Sequence, residues 1–207
     1  VWPEASGEKE PFAEVEEVLG AADDPVVETR AVIVKYGLQD AFDEAARAEA
    51  AAFGAEVPAD ALRGRRDHRE VPPFTIDGAD AKDFDDALSV ERIGGRGKSV
   101  RYRIGVHIAD VSHYVTEGSA LDEAARLRAT SVYLPGRVLP MLPEALSNGL
   151  CSLVEGADRL ALSCFVEIDR DGAVGDVRFA ETVIRSDARL TYEQVQEFAE
   201  GGRLPEG

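Results

Sequence analysis

The stretch FTIDGADAKDFDDALSVERI, residues 74–93, decides how the rest of the chain is read. Phe74, Thr75 and Ile76 lead into it and Ala87, Leu88 and Val90 lead out, so two apolar patches bracket a loop. Within that loop Asp77, Asp80, Asp83, Asp85 and Asp86 fall inside ten residues. Apolar flanks of this kind belong against a core, and like charges repel more strongly as water is excluded. Such a loop must lie open as a solvated acidic surface, raise its own carboxyl pKa values, or gather a divalent cation. Hard oxygen donors suit Mg²⁺, which takes one or two carboxylates and completes its shell with water and phosphate oxygens. Two such ions about 3.5–4 Å apart activate water and steady the leaving oxygen of a phosphodiester. The apolar flanks, with Gly78 and Phe84 interleaved, favour a metal site over a solvated loop.

Two other metal readings fail on spacing. An EF-hand loop starting at Asp83 would need an oxygen ligand where Ala87 stands and glycine where Leu88 stands. A D-x-D-x-[TV] phosphatase motif would need Thr or Val at Ala87. Walker A, HExxH and GxSxG patterns are absent from the sequence.

On the N-terminal side, Glu56–Pro73 is a link that carries Arg63, Arg65, Arg66 and Arg69. These arginines suit either phosphate contacts or pairing with the chain's own carboxylates. Before the link, Asp40 is placed to cap a helix of alanines and alternating charges that runs through Phe53 and stops at Gly54. Val26–Tyr36 (VVETRAVIVKY) is β-branched and predicts a strand. Residues 1–25 are acidic and rich in Ala, Pro and Gly, broken by the apolar Val15–Leu19, and read as a linker or the edge of an upstream element.

On the C-terminal side, Val100, Tyr102, Ile104, Val106 and Ile108 share one face of a strand, which puts His107 on the other. His107 and His113 read as structural, because imidazole suits zinc and copper better than magnesium. Ser119 with Asp122 predicts a capped helix through Ala129. Residues 133–149 hold three prolines and two glycines and predict ordered loop. Two strands should flank a turn at Asp169–Gly172, and Thr191 with Gln194 should open a last helix that ends before Gly201. The mixture is α+β.

Composition narrows the class. The 207 residues are 44% hydrophobic and carry a formal net charge of −17. That charge argues against a protein that grips nucleic acid over its whole surface, since phosphate contacts need Lys and Arg. It leaves room for a concentrated carboxylate centre. No run approaches the roughly 18 apolar residues a membrane helix needs, and the acidic start has no signal-peptide order. A cytoplasmic protein is expected. Cys151 and Cys164, in apolar company with no CxxC spacing, read as reduced buried thiols.

Arg66-Asp67 followed by TIDGADAKDFDDALSV resembles the signature of the ribonuclease II/ribonuclease R family, whose catalytic domain is called RNB. The likeness continues through VHIADVSHYV (106–115), GSALDEAARLRATSVYLPGRVLPMLPEALSNGLCSL (118–153) and Thr182–Tyr192, and lies closest to the ribonuclease R branch. A lone D-x-D-D would be weak; the ordered series over roughly residues 60–200 is specific. The resemblance implies an RNB-type mixed α/β catalytic domain over 60–207, seen only in its N-terminal part. Residues 1–59 would then be a linker and the edge of a cold-shock or OB-like region with a helix.

It further implies processive 3′→5′ hydrolysis of single-stranded RNA to nucleoside 5′-monophosphates with Mg²⁺, by a monomer. Asp77, Asp83, Asp85 and Asp86 match the four family aspartates of the metal centre. Asp77 and Asp86 match direct ligands, and Asp85 matches the residue most needed for chemistry. Tyr133 matches the tyrosine that stacks near the final nucleotides, apt because every base has a π-face. A later family segment resembling HFTSPIRRY, which supplies arginines to the scissile phosphate, does not occur in the sequence, nor does an S1-type RNA-binding domain. The chain therefore reads as an incomplete piece of such an enzyme. The alternative is a catalytically inactive RNB-like RNA-binding or scaffold module.

Overall fold

The computed structural model describes residues 14–95 and 100–203. In chain order its elements are α1 (Pro25–Tyr36), α2 (Glu44–Ala52), β1 (Arg66–Asp67), β2 (Pro73–Asp77), β3 (Asp86–Gly94) and β4 (Arg101–Ala109). There follow α3 (Ala120–Arg128), β5 (Val132–Leu134), β6 (Arg137–Leu139), β7 (Asp158–Asp169), β8 (Val174–Arg185), β9 (Ala188–Thr191) and α4 (Tyr192–Ala199). They fall into two units, one from 1–40 with 133–139 and the other from 41–132 with 140–207.

In the smaller unit the expected strand over Val26–Tyr36 is instead the helix α1, and its ends say why. The Asp24 carboxylate accepts from the Val26 N–H at 2.9 Å, and Pro25 sits in the first turn, where a missing N–H costs nothing. Gly37, at φ 60°, closes the other end by donating to the Ile33 and Val34 carbonyls. These terminal signals outweigh a β-branched interior whose propensity penalty is only tenths of a kcal/mol per residue. The apolar Val15–Leu19 stretch has no regular structure, and the acidic opening at 1–13 lies outside the described residues.

The larger unit is built on a seven-stranded sheet in the order β1-β8-β7-β4-β3-β2-β9. The middle pairs are antiparallel, whereas β1–β8 and β2–β9 are parallel. The turn expected at Asp169–Gly172 joins β7 to β8, with Asp169 Oδ1 accepting from the Asp171 and Ala173 N–H groups at 2.9 Å each. Helix α2 starts three residues later than expected, because the Asp43 side chain, and not Asp40, accepts from the Ala46 N–H at 2.7 Å. Ser119 caps α3 and Thr191 forms a full capping box with Gln194 on α4. A core of Leu121, Leu146, Leu150, Leu153, Leu160 and Ile184 forms around Tyr114, whose ring meets Phe53 edge-on at 5.3 Å.

The two faces of β4 divide against their chemistry. Ile108 on the apolar face is 47% exposed, and its register neighbour Leu162 is 51% exposed. His107, on the other face, is fully buried in a row of hydroxyls. Its Nε2 pairs with Ser89 Oγ at 2.9 Å and its Nδ1 with Ser163 Oγ at 2.7 Å, and Ser163 continues to Thr182 Oγ1 at 2.6 Å. Gly105 makes the row possible, since a Cβ there would lie 2.4 Å from Ser89 Oγ and 2.6 Å from His107 Nε2.

Burial first, and then the neighbouring His68, push the His107 pKa down to about 4 from an ordinary value of 6.5. A lowered histidine binds fewer protons folded than unfolded, so its contribution is complete above about pH 6.5 and is lost as pH falls toward 4. The loss is on the order of 3 kcal/mol. Urea midpoints of the chain should fall over that window, and His107→Gln should flatten the fall. Parallel slopes for the two proteins would place the titration elsewhere.

Candidate metal centre at the ends of β2 and β3

The acidic stretch lies where two neighbouring strands meet a loop. Asp77 ends β2, Asp86 begins β3, and Asp83 and Asp85 stand in the connecting segment 78–85. Pairing of Pro73 with Ser89 and Phe74 with Leu88 fixes the two strands, and the outer neighbours at this end of the sheet are Ile108 of β4 and Thr191 of β9. The sequence-predicted aspartates are thus brought to one end of one sheet.

Their electrostatics register the crowding. Burial, then the charge of Asp86, raises the Asp77 carboxyl above the ordinary range, with Asp83 adding to the rise and Arg189 opposing it. The Thr75 hydroxyl is near enough to temper that shift, but it makes no hydrogen bond. Asp77 Oδ2 and Thr75 Oγ1 are both buried without a partner. Although the Asp85 side chain reaches solvent, partial burial, then Asp83, Asp86 and Asp77, also raises its carboxyl. Among the described residues no three acidic, imidazole or thiol groups already converge on one point.

A cation fits this donor set all the same. The orphaned Asp77 oxygen, a hard donor, would gain a partner, and the mutual repulsion would be cancelled. Mg²⁺ needs only one or two protein carboxylates when water and phosphate supply the rest.

The connecting segment is held from two sides. Arg189 of β9 donates through Nη2 to the carbonyls of Gly78 (3.2 Å), Ala79 (2.5 Å) and Ala81 (3.4 Å), and its guanidinium lies 5.1 Å from the Phe84 ring centre. Opposite it, buried Ser152 donates its hydroxyl to Lys82 O at 2.7 Å and accepts from the Phe84 N–H at 3.0 Å. The Leu153 and Ala109 N–H groups close on Phe84 O and Asp85 O, each at 2.9 Å.

The family model described as RNB domain matches residues 65–205, and one described as cold shock domain matches residues 1–43. The chain belongs to the RNB domain family. Ribonuclease R of Thermotoga maritima is 53% identical over 194 residues, which is 93% of this chain and 27% of that protein. Mycoplasma genitalium RNase R in complex with ribose-methylated single-stranded RNA superimposes with a TM-score of 0.80 at 30% identity, covering 89% of this chain and 28% of that one. Yeast Ssd1, a pseudonuclease, matches with a TM-score of 0.72 at 24% identity over 91% of this chain and 23% of that one, a likeness of fold alone. The chain spans about a quarter of the length of the first relatives it matches.

Of the link arginines, Arg65, Arg66 and Arg69 have partners inside the chain, as do Arg126 and Arg128 on α3, while Arg63 is exposed. Arg65 forms a buried ion pair with Asp110 at 2.6 Å, and Arg69 pairs with Asp67 and Asp158. Arg66 lies over the Phe165 ring at 5.0 Å and Arg128 over Phe42 at 3.7 Å, and Arg126 pairs with Asp122. His113 packs edge-on against Tyr114. Cys151 is buried and Cys164 half-buried, both as free thiols, with burial pushing the Cys151 thiol up to about 12. Tyr133 stands on β5 with 67% of its surface exposed, and falls in the smaller unit. That unit also holds a cavity of about 680 Å³, lined in part by Pro25, Arg30, Asp40 and Arg137, which includes none of Asp77, Asp83, Asp85 and Asp86. Arg189 and Ser152 escaped the sequence reading, because a lone arginine on a strand and a lone serine in a loop carry no motif.

Proposed function

We propose that this chain supplies the aspartate portion of the active site of a Mg²⁺-dependent 3′→5′ exoribonuclease that hydrolyses single-stranded RNA processively to nucleoside 5′-monophosphates. The observation that carries the reading is Asp77 Oδ2, a buried carboxylate oxygen without a partner among like charges, in an RNB domain. Asp77 and Asp86 would hold the metal from the ends of β2 and β3, with Asp83 and Asp85 completing the acidic wall. Bound Mg²⁺ would lower the pKa of a water and offset charge on the phosphodiester oxygens. Asp85, whose carboxyl is raised above the ordinary range by partial burial and by Asp83, Asp86 and Asp77, matches the family residue most needed for the chemistry. The reading also makes the protein a monomeric cytoplasmic enzyme, with 60–207 the front of the catalytic domain and 1–59 the edge of a cold-shock-like region.

The test is a full-length Thermotoga maritima Ribonuclease R in which this segment replaces its counterpart, assayed on 5′-labelled single-stranded RNA. Shortening from the 3′ end with release of nucleoside monophosphates, abolished by EDTA, is expected. The rival, an inactive RNB-like binding module, is favoured by the lack of three converged ligands among the described residues. Bound but intact RNA would establish that rival.

Tyr133 bears on the end product. If its exposed ring stacks on a terminal base, the contact is worth about 1–3 kcal/mol. That is enough to set where a short oligonucleotide dissociates and too little to stop chemistry. In the same chimera, Tyr133→Ala should leave longer final products at a near-normal cleavage rate, and an unchanged final product on a denaturing gel would assign the ring to the fold alone.

A further inference from the structure

We propose that Arg189 and Ser152 are positioning residues that clamp segment 78–85 from opposite sides and hold its aspartates in the arrangement that receives the cation. The inference rests on the metal reading for its purpose, and on geometry for its substance. Segment 78–85 lies between β2 and β3 and forms no ladder of its own, so its backbone polar groups must find partners elsewhere. Arg189 takes the carbonyls of Gly78, Ala79 and Ala81, while Ser152 takes the Lys82 carbonyl and the Phe84 N–H. Main-chain bonds from Leu153 and Ala109 take the Phe84 and Asp85 carbonyls. Six of the eight carbonyls in the segment are thereby engaged, four of them by these two side chains.

The clamp opposes a definite force. Asp77, Asp83, Asp85 and Asp86 are like charges within ten residues of chain, and their mutual repulsion opposes a close arrangement of the segment. Arg189 counters it by binding the segment's carbonyl oxygens from one side. Its pairing position, Thr75 opposite Arg189, fixes the guanidinium beside the end of β2, where the segment departs. Ser152 is itself anchored, for Arg159 Nε donates to its carbonyl at 2.8 Å and its side chain is sealed from solvent. The two grips meet at Phe84, whose ring lies near Arg189 and whose N–H is held by Ser152. One clamp is therefore a charged donor at the surface, and the other a neutral, buried hydroxyl.

The test uses the 207-residue chain, comparing wild type with Arg189→Ala, Arg189→Lys and Ser152→Ala by amide hydrogen exchange and by Mn²⁺ binding followed by electron paramagnetic resonance. Arg189→Ala and Ser152→Ala should each speed exchange across 78–86 at least tenfold, with protection of the β7 and β8 amides unchanged. Each should weaken Mn²⁺ binding about tenfold, and Arg189→Lys should recover most of both losses. Wild-type exchange in 78–86 for both alanine variants would overturn the proposal, as would acceleration spread evenly over the sheet. If wild type binds no Mn²⁺ while the variants still loosen 78–86 selectively, the metal reading fails and the clamp stands.

Discussion

Replacing Asp85 with Asn in a full-length Ribonuclease R carrying this segment is expected to abolish RNA hydrolysis while leaving RNA affinity within a few-fold of wild type. Affinity for RNA comes chiefly from phosphate contacts spread along the strand, whereas Asp85 stands in the carboxylate wall. Loss of a charge that positions a metal or a proton should remove several kcal/mol of transition-state stabilisation. Stability should not suffer. Because the folded state raises the Asp85 pKa, its charge is a burden to the fold, and a neutral amide removes that burden. The expected result is thus an inactive, RNA-binding protein at least as stable as its parent. Single-turnover cleavage at the wild-type rate would remove Asp85 from the chemistry.

Asp110→Ala should produce the largest loss of stability. Asp110 and Arg65 form an ion pair at 2.6 Å with side chains only 9% and 6% exposed, and Arg65 Nη1 already lacks a hydrogen-bond partner. Removing the carboxylate strands a guanidinium in the interior, which costs about 3–5 kcal/mol. It also frees Ser112 Oγ, which donates to Asp110 at 2.7 Å. Burial alone would raise the Asp110 carboxyl, but the Ser112 and Arg65 contacts hold it below the usual range. Its contribution is therefore complete above the ordinary value of 3.8 and lost as pH falls through the depressed folded value. That window lies below the one set by His107, so the two groups separate in a pH series. Urea denaturation at neutral pH measures the cost, and a loss under about 1 kcal/mol would mean the pair is effectively solvated.

What the sequence disclosed followed the range of the forces involved. Caps at Ser119 and Thr191 and the turn at Asp169–Gly172 are local, and each is observed where its residues place it. The aspartate stretch was legible because its charges are adjacent in the chain. The strand expected over Val26–Tyr36 failed because β-branched residues were weighed above Asp24, Pro25 and Gly37, which are also local and favour a helix. Alternation along β4 announced two faces but not their fates. The apolar face keeps Ile108 half open, while His107 is sealed by Ser89 and Ser163, residues 18 and 56 positions away. Ser152 and Arg189 were illegible for the same reason, since their partners in 78–84 lie about 70 and 110 residues distant.

The most direct measurement is titration of the folded 207-residue chain with Mn²⁺, followed by electron paramagnetic resonance and displacement with Mg²⁺. Tightened binding is predicted as the raised carboxyls ionise, with Mg²⁺ competing and Asp77→Asn or Asp86→Asn each removing most of the signal. A folded chain that binds no Mn²⁺, or that binds it equally well without Asp77 and Asp86, would contradict the assignment of this acidic stretch as a metal centre.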